Sequence, residues 1–357
     1  MISRLPFFTL AALGLGFAAA CGSDNGPTNP GGDLPSITIN TTAGPVYVAL
    51  GPEPSVISGA DPQSTTTWDV AFTSEPAVLV NGGASGPGSD RAVCLCVNES
   101  LSLDQVKALS AADGAAAFSS VTSADIPVDS FFKADAESHA ISGWYAYDPG
   151  THAIAPTGSV FGLRLASTSG GYAKLHVTAL GSPTQANAGQ VTLEWAVQPT
   201  SAGTLGADQQ AVADLSGGGR IYVNLTTGDT SSTEPAAWDI ALQGYTIYVN
   251  GGVSGSGDVA AVLLVPSSFY TSYASITNIP VGAAGIPANA FETDGAGGAF
   301  LTDLPYRYDP TVHQVYPTYD VYLVKRGTDV YKVQIAGYYG TDGTFGQLTV
   351  RAAKLVE

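Results

Sequence analysis

The chain has 357 residues, 45% of them apolar and only 12% charged; this excludes wholesale disorder and leaves room for two domains, each with its own core. Thirteen Lys and Arg stand against 30 Asp and Glu, for a formal charge of −17. That balance argues against nucleic acid as a partner and against direct adsorption to anionic lipid.

In chain order, the first element is a leader. MISRLPFFTLAALGLGFAAAC carries one charge, Arg4, before an apolar run that is short for a membrane span but right for a signal-peptide core, giving an expected signal peptide over 1–20. Small residues directly before Cys21 resemble a bacterial lipobox, which makes Cys21 the expected lipid attachment site. The alternative is a plain secretory signal followed by a free thiol. Residues 21–34 are rich in Gly and Pro, as expected of a flexible tether. Gly22 after the cysteine favours the outer membrane over inner-membrane retention.

Beyond the tether the pattern is β. VYVAL (46–50), WDVAF (68–72), AVLVN (77–81), VFGLRLA (160–166), YAKLHV (172–177), VTLEWAV (191–197), RIYVNL (220–225), TIYVN (246–250), VAAVLLV (259–265), VYLVKR (321–326) and YKVQIAGYY (331–339) are short runs rich in Val, Tyr and Ile, bounded by turn residues. One helix is expected after Ser102, whose spacing to Gln105 is that of a capping box, with Gly114 weakening its second half. The fold class is therefore all-β, built of antiparallel strands with at most one or two short helices.

Four blocks occur twice in the same order. WDVAF running to NGGASG (81–86) returns as WDIAL running to NGGVSG (250–255), and YAYDPGTHAIAP (145–156) returns as YRYDPTVHQVYP (306–317). GGYAKLHV and TDVYKVQI share Lys174 with Lys332, and GQVTLEWAV (189–197) matches GQLTVRAAK (346–354). Such a long period means duplication of a whole domain, predicted over 35–200 and 205–357, and not a propeller blade or solenoid unit.

A duplicated polar residue reports on architecture first. The Asn-Gly-Gly segments are expected to make turns, with anion binding by their backbone N–H groups the alternative; Asp69 and Asp239 to cap turns, with a cation site the alternative; and Trp68 and Trp238 to anchor the core with their indole N–H on backbone carbonyls. Ser85 and Ser254 are not hydrolase nucleophiles, because neither lies in G-x-S-x-G. Cys94 and Cys96 either sit as two small apolar residues on one face of a strand or join in a small disulfide loop; no second cysteine pair completes a zinc site. Of the four histidines, His152 and His313 leave their Asp-Pro turns among tyrosines, His176 alternates with Lys174 on a strand, and His139 has no counterpart.

The ordered set of lipobox, WD[VI]A[FL], NGG[AV]SG and Y-x-YDP-x-x-H-x-[IV]-x-P, present twice, resembles the HmuY family of bacterial haem-binding lipoproteins. The resemblance implies two tandem all-β HmuY-like domains at the cell surface or periplasmic face, taking haem from haem-carrying proteins and passing it to a TonB-type outer-membrane receptor. The lipid anchor is then the sole membrane attachment, haem the one cofactor, and catalysis is not expected. Family members hold haem iron with paired histidines or methionines; the single methionine is Met1, so the candidates here are His152 and His313, with a tyrosinate such as Tyr306 or Tyr308, or with one haem shared by both histidines. No metal is implied beyond haem iron. The competing reading is a non-haem surface binding module on the same duplicated fold.

Overall fold

The computed structural model describes residues 34–58, 62–166, 171–201, 203–267, 270–282 and 285–355. The expected signal peptide, Cys21 and nearly all of the tether lie outside the described residues. Strands dominate, paired antiparallel in both five-stranded sheets, and the described residues hold three short helices, one more than expected: α1 (Leu103–Lys107), α2 (Ala111–Ser120) and α3 (Ala299–Thr302). None of the described helices is long and apolar enough to cross a membrane.

The chain forms two compact units, and they do not follow the sequence repeats. A central unit comprises 137–295, and a terminal unit combines the described residues up to 136 with those from 296 onward. The boundaries expected at 35–200 and 205–357 follow the repeated sequence blocks; in space each unit takes its first half from one set of blocks and its second half from the other.

In the terminal unit a five-stranded sheet runs in the order Ser36–Asn40, Phe345–Leu355, Asp329–Tyr339, Val321–Arg326, Arg91–Leu95. Register pairs Ser36 with Arg351 and Val321 with Leu95, so first-repeat strands flank second-repeat strands on both sides. A four-stranded sheet, Ser55–Val56, Val46–Ala49, Val70–Phe72 and Val78–Val80, completes a core around Ile39, Phe72, Tyr322, Tyr338 and Val350.

The central unit repeats this order with Gln209–Asp214, Gln190–Gln198, Tyr172–Gly181, Val160–Arg164 and Ala260–Val265, plus a second sheet built on Ile221–Val223, Ile240–Gln243 and Thr246–Val249. Its core centres on Trp144, Phe161, Leu175, Trp195 and Val249.

The exchange has a local cause. The last strand of the first repeat and the first strand of the second are joined only by the 199–208 connection, and they pair directly, Gln190 against Asp214 through Trp195 against Gln209. Closing that hairpin costs far less loop entropy than bringing residue 36 back onto residue 194. Once it closes, the strand Ser36–Asn40 finds the equivalent free edge on Phe345–Leu355.

The expected helix is in fact two. Ser102 and Gln105 cap α1 reciprocally as predicted, and a second reciprocal box, Ser110 with Asp113, restarts the chain as α2. Gly114 sits inside α2 with a purpose: a Cβ there would stand within 3.0 Å of the Tyr319 ring. Lys332 donates to the carbonyls of Phe118 and Val121 at the end of α2 (2.7 and 2.8 Å), and in the central unit Lys174 donates likewise to Tyr273 and Ile276 (both 3.3 Å). The duplicated lysine clamps backbone carbonyls in both units, at the end of α2 in one and at the 3-10 turn Tyr273–Ser275 in the other.

Candidate functional site

The duplicated Y-x-YDP-x-x-H segment folds as a two-stranded ribbon in each unit, Tyr145–Asp148 with Ala153–Pro156 and Tyr306–Asp309 with Gln314–Pro317. Asp148 opposes Ala153 and Asp309 opposes Gln314, leaving four-residue loops that begin with Pro149 and Pro310. The loop aspartate caps its own turn: Asp148 Oδ1 accepts from the Gly150 N–H (2.8 Å), and Asp309 Oδ1 from the Thr311 N–H (2.9 Å). Lys107 lies 2.7 Å from the other oxygen of Asp309 and holds that carboxyl well below the usual range.

His152 and His313 occupy the last loop position with φ of 58° and 54°, a left-handed backbone that histidine tolerates better than branched residues. Each imidazole is exposed and tied back to a tyrosine five residues earlier, His152 Nδ1 to Tyr147 Oη at 2.5 Å and His313 Nδ1 to Tyr308 Oη at 2.6 Å. In the tautomer with Nδ1 protonated, Nδ1–H donates to the phenol oxygen and Nε2 presents its lone pair. That is the arrangement of a metal-ligating histidine whose ring is fixed by an outer hydrogen bond. The two histidines lie on different units.

The aromatic surroundings belong to each ribbon separately. In the central unit Trp144, Tyr145 and Tyr245 form a cluster with centroids 4.5 to 6.2 Å apart. In the terminal unit Tyr306 packs edge-on against Tyr338 at 5.9 Å, and burial raises the pKa of the Tyr306 phenol, which works against its serving as a tyrosinate.

The other histidines are engaged. His176 Nε2 lies 2.8 Å from Glu194 Oε2 and its ring stacks on Tyr273 at 4.0 Å, while His139 Nδ1 lies 3.3 Å from the buried carboxylate of Asp294.

The remaining duplicated polar residues prove architectural. Asp69 and Asp239 accept from the backbone N–H of Leu50 and Leu225, which is turn capping as expected. Gly83 and Gly252 have φ of 67° and 66°, and a Cβ on either would collide with the carbonyl of Asp135 or Asp294, so glycine is required at both. In the first loop the N–H groups of Gly82 and Ala84 are spent on Val80 and Asp135 carbonyls, and in the second those of Gly251 and Val253 on Val249 and Asp294, which leaves little to hold an anion. Ser85 donates to Asp135 Oδ2 (2.5 Å).

Trp68 and Trp238 are buried anchors, but the expected backbone partners are not found. Trp238 Nε1 reaches Glu234 Oε1 at 3.3 Å, and Trp68 Nε1 has no hydrogen-bond partner among the described residues. Cys94 and Cys96 are joined as a disulfide.

Comparison with known proteins bears on the second repeat most directly. Residues 218–351 match the family described as HmuY protein. No curated protein matches the chain. Among solved structures, a protein of Bacteroides vulgatus described as HmuY-like and heme-binding is 15% identical, with 39% of this chain and 86% of that chain covered and a TM-score of 0.18. A Bacteroides fragilis protein described as a lipoprotein is 14% identical over 49% and 95%, with a TM-score of 0.18. The apo HmuY analog of Tannerella forsythia is 13% identical over 39% and 90%, with a TM-score of 0.15. Likenesses this weak establish no residue-by-residue equivalence.

Proposed function

We propose that the chain is a haem-binding lipoprotein of the HmuY type, anchored through Cys21 to the outer membrane on an extracytoplasmic face. It takes up haem from the surroundings or from haem-carrying proteins and yields it to a TonB-type receptor. The carrying observation is the His313 ribbon, which lies inside the family-matched stretch and presents an exposed imidazole whose Nδ1 is held by Tyr308. His152 with Tyr147 repeats that arrangement in the central unit. Each ribbon supplies one imidazole through Nε2, the tyrosine hydroxyl orienting the ring. What haem contributes is the iron that accepts the Nε2 lone pair; the role is carriage, without turnover.

A second reading has an observation in its favour. His139 and His176 are both held by carboxylates, so within the central unit no second uncommitted imidazole joins His152, and among the described residues His313 is the one histidine of the terminal unit. A module that kept the fold and lost haem would look the same. Titrating the mature chain with haemin separates the two: the haem reading expects a shifted, saturable Soret band, and a spectrum equal to that of free haemin defeats it.

A further inference from the structure

A feature repeated in both units is inherited architecture; one built in a single unit needs its own explanation. The disulfide pair is such a feature. Cys94 and Cys96 come from the first repeat, Cys94 on the edge strand Arg91–Leu95 of the terminal unit and Cys96 just past its end, and Asp303 comes from the second repeat, just after α3. One carboxylate oxygen of Asp303 and both sulfurs lie within 4.8 Å of one another. Strand register places Leu263 opposite Phe161 as Cys94 is opposite Tyr322, so the corresponding central-unit positions are Leu263, Val265 and Ser142, which offer no such set.

Beside the cysteines lies a cavity of about 300 Å³, lined by Cys96, Glu99, Asp303, Arg307 and Asp320 among others. Asp320 is committed, its Oδ1 accepting from the Val97 and Asn98 N–H groups (2.9 and 3.0 Å). Among the described residues Asp303 has no such backbone donors on its carboxylate, and Glu99 is exposed at the rim. Arg307, which donates to the Glu99 carbonyl at 2.5 Å, puts a positive charge on the wall of an otherwise anionic pocket.

We propose that Cys94, Cys96 and Asp303 form a redox-gated site for a thiophilic divalent cation such as Zn²⁺ or Cd²⁺. As a disulfide the pair offers no thiolate. Two-electron reduction by a thiol or phosphine cleaves the S–S bond to two thiols; with a phosphine, one water supplies the oxygen of the phosphine oxide and the two protons of the thiols. Binding then releases those protons, giving two thiolates and one carboxylate, with solvent or Glu99 in the fourth position. Tetrahedral bonds of about 2.3 Å place ligand atoms roughly 3.8 Å apart, which the observed grouping allows once the sulfurs separate. Two sulfurs and one oxygen favour zinc-like metals over magnesium or calcium.

The test uses the full chain and Cd²⁺, read by the sulfur-to-cadmium charge-transfer absorption, with a phosphine as reductant. The reduced protein is expected to bind one Cd²⁺ beyond whatever the Cys94→Ser/Cys96→Ser variant, which retains Cys21, takes up. The oxidised protein is expected to show no more than that variant. Asp303→Asn is expected to weaken binding about tenfold or more. Circular dichroism confirms that the variants fold, and the comparison of oxidised with reduced wild type needs no variant at all. No additional cadmium on reduction, or unchanged affinity in Asp303→Asn, overturns the proposal. Neither result depends on haem binding.

Discussion

Cutting the chain between its repeats probes the exchanged architecture directly. A protease site inserted in the 199–208 connection divides the chain into the two halves that the duplication defines. Because the strand Ser36–Asn40 pairs with Phe345–Leu355, and Val160–Arg164 with Ala260–Val265, the halves separate only if both units unfold. Taking the low end of ordinary domain stability, about 5 kcal/mol for each unit, separation costs roughly 10 kcal/mol, a dissociation constant in the tens of nanomolar or below. At ~10 µM about nine-tenths of the nicked protein then elutes as one species in size-exclusion chromatography, and denaturant is needed to part it. Adhesion between separately folded repeats is distinguished by cross-linking: Thr38→Cys joins Thr349→Cys, its register partner, and not Thr192→Cys, its partner if each repeat closed on itself. Free halves after nicking, or a Thr38→Cys to Thr192→Cys disulfide in the monomer, would refute the exchange.

Two further predictions concern stability. Gly114→Ala gains about 1 kcal/mol of helix propensity but drives a methyl into the buried Tyr319 ring, an overpacking cost of roughly 1–3 kcal/mol, so the melting temperature is expected to fall by a few degrees; a rise would mean that the ring moves freely. Asp90 is buried beside Asp69, and burial first, then the Asp69 charge, raises its pKa to about 8. The folded state therefore holds a proton that the unfolded state gives up near pH 4. The stabilisation is complete below that pH and is lost as the pH climbs through about 8. Arg326, 3.0 Å from Asp69, opposes this rise in pKa, and its pull is already part of that balance. The urea midpoint of the terminal unit should drop between pH 5 and pH 8 in the wild type and much less in Asp90→Asn; equal slopes would contradict the assignment.

The strands were legible because alternation of Val, Tyr and Ile with polar residues is a local signal, and Val321–Arg326 coincides with its predicted range. The break between α1 and α2 was missed because the second capping box uses Asp113 where Glu or Gln is the usual partner. The exchange between repeats left no trace in composition or pattern. Both copies carry the same pairing surfaces, so complementarity alone cannot say which copy a strand joins; the shortness of the 199–208 connection decides it.

For the site, the sequence located His152 and His313 at turn exits among tyrosines. It did not reveal that a tyrosine five positions earlier holds Nδ1. Nothing in the sequence linked Asp303 to Cys94 and Cys96, since their proximity arises only when halves of different repeats meet in one unit.

The central claim is that the ribbon histidines ligate haem iron, and haem stoichiometry in single variants tests it most directly. The account predicts two haems per mature chain, falling to one in His152→Ala and one in His313→Ala, each with the Soret signature of the ribbon that remains. Wild-type stoichiometry and spectrum in both single variants and in the double variant would contradict it.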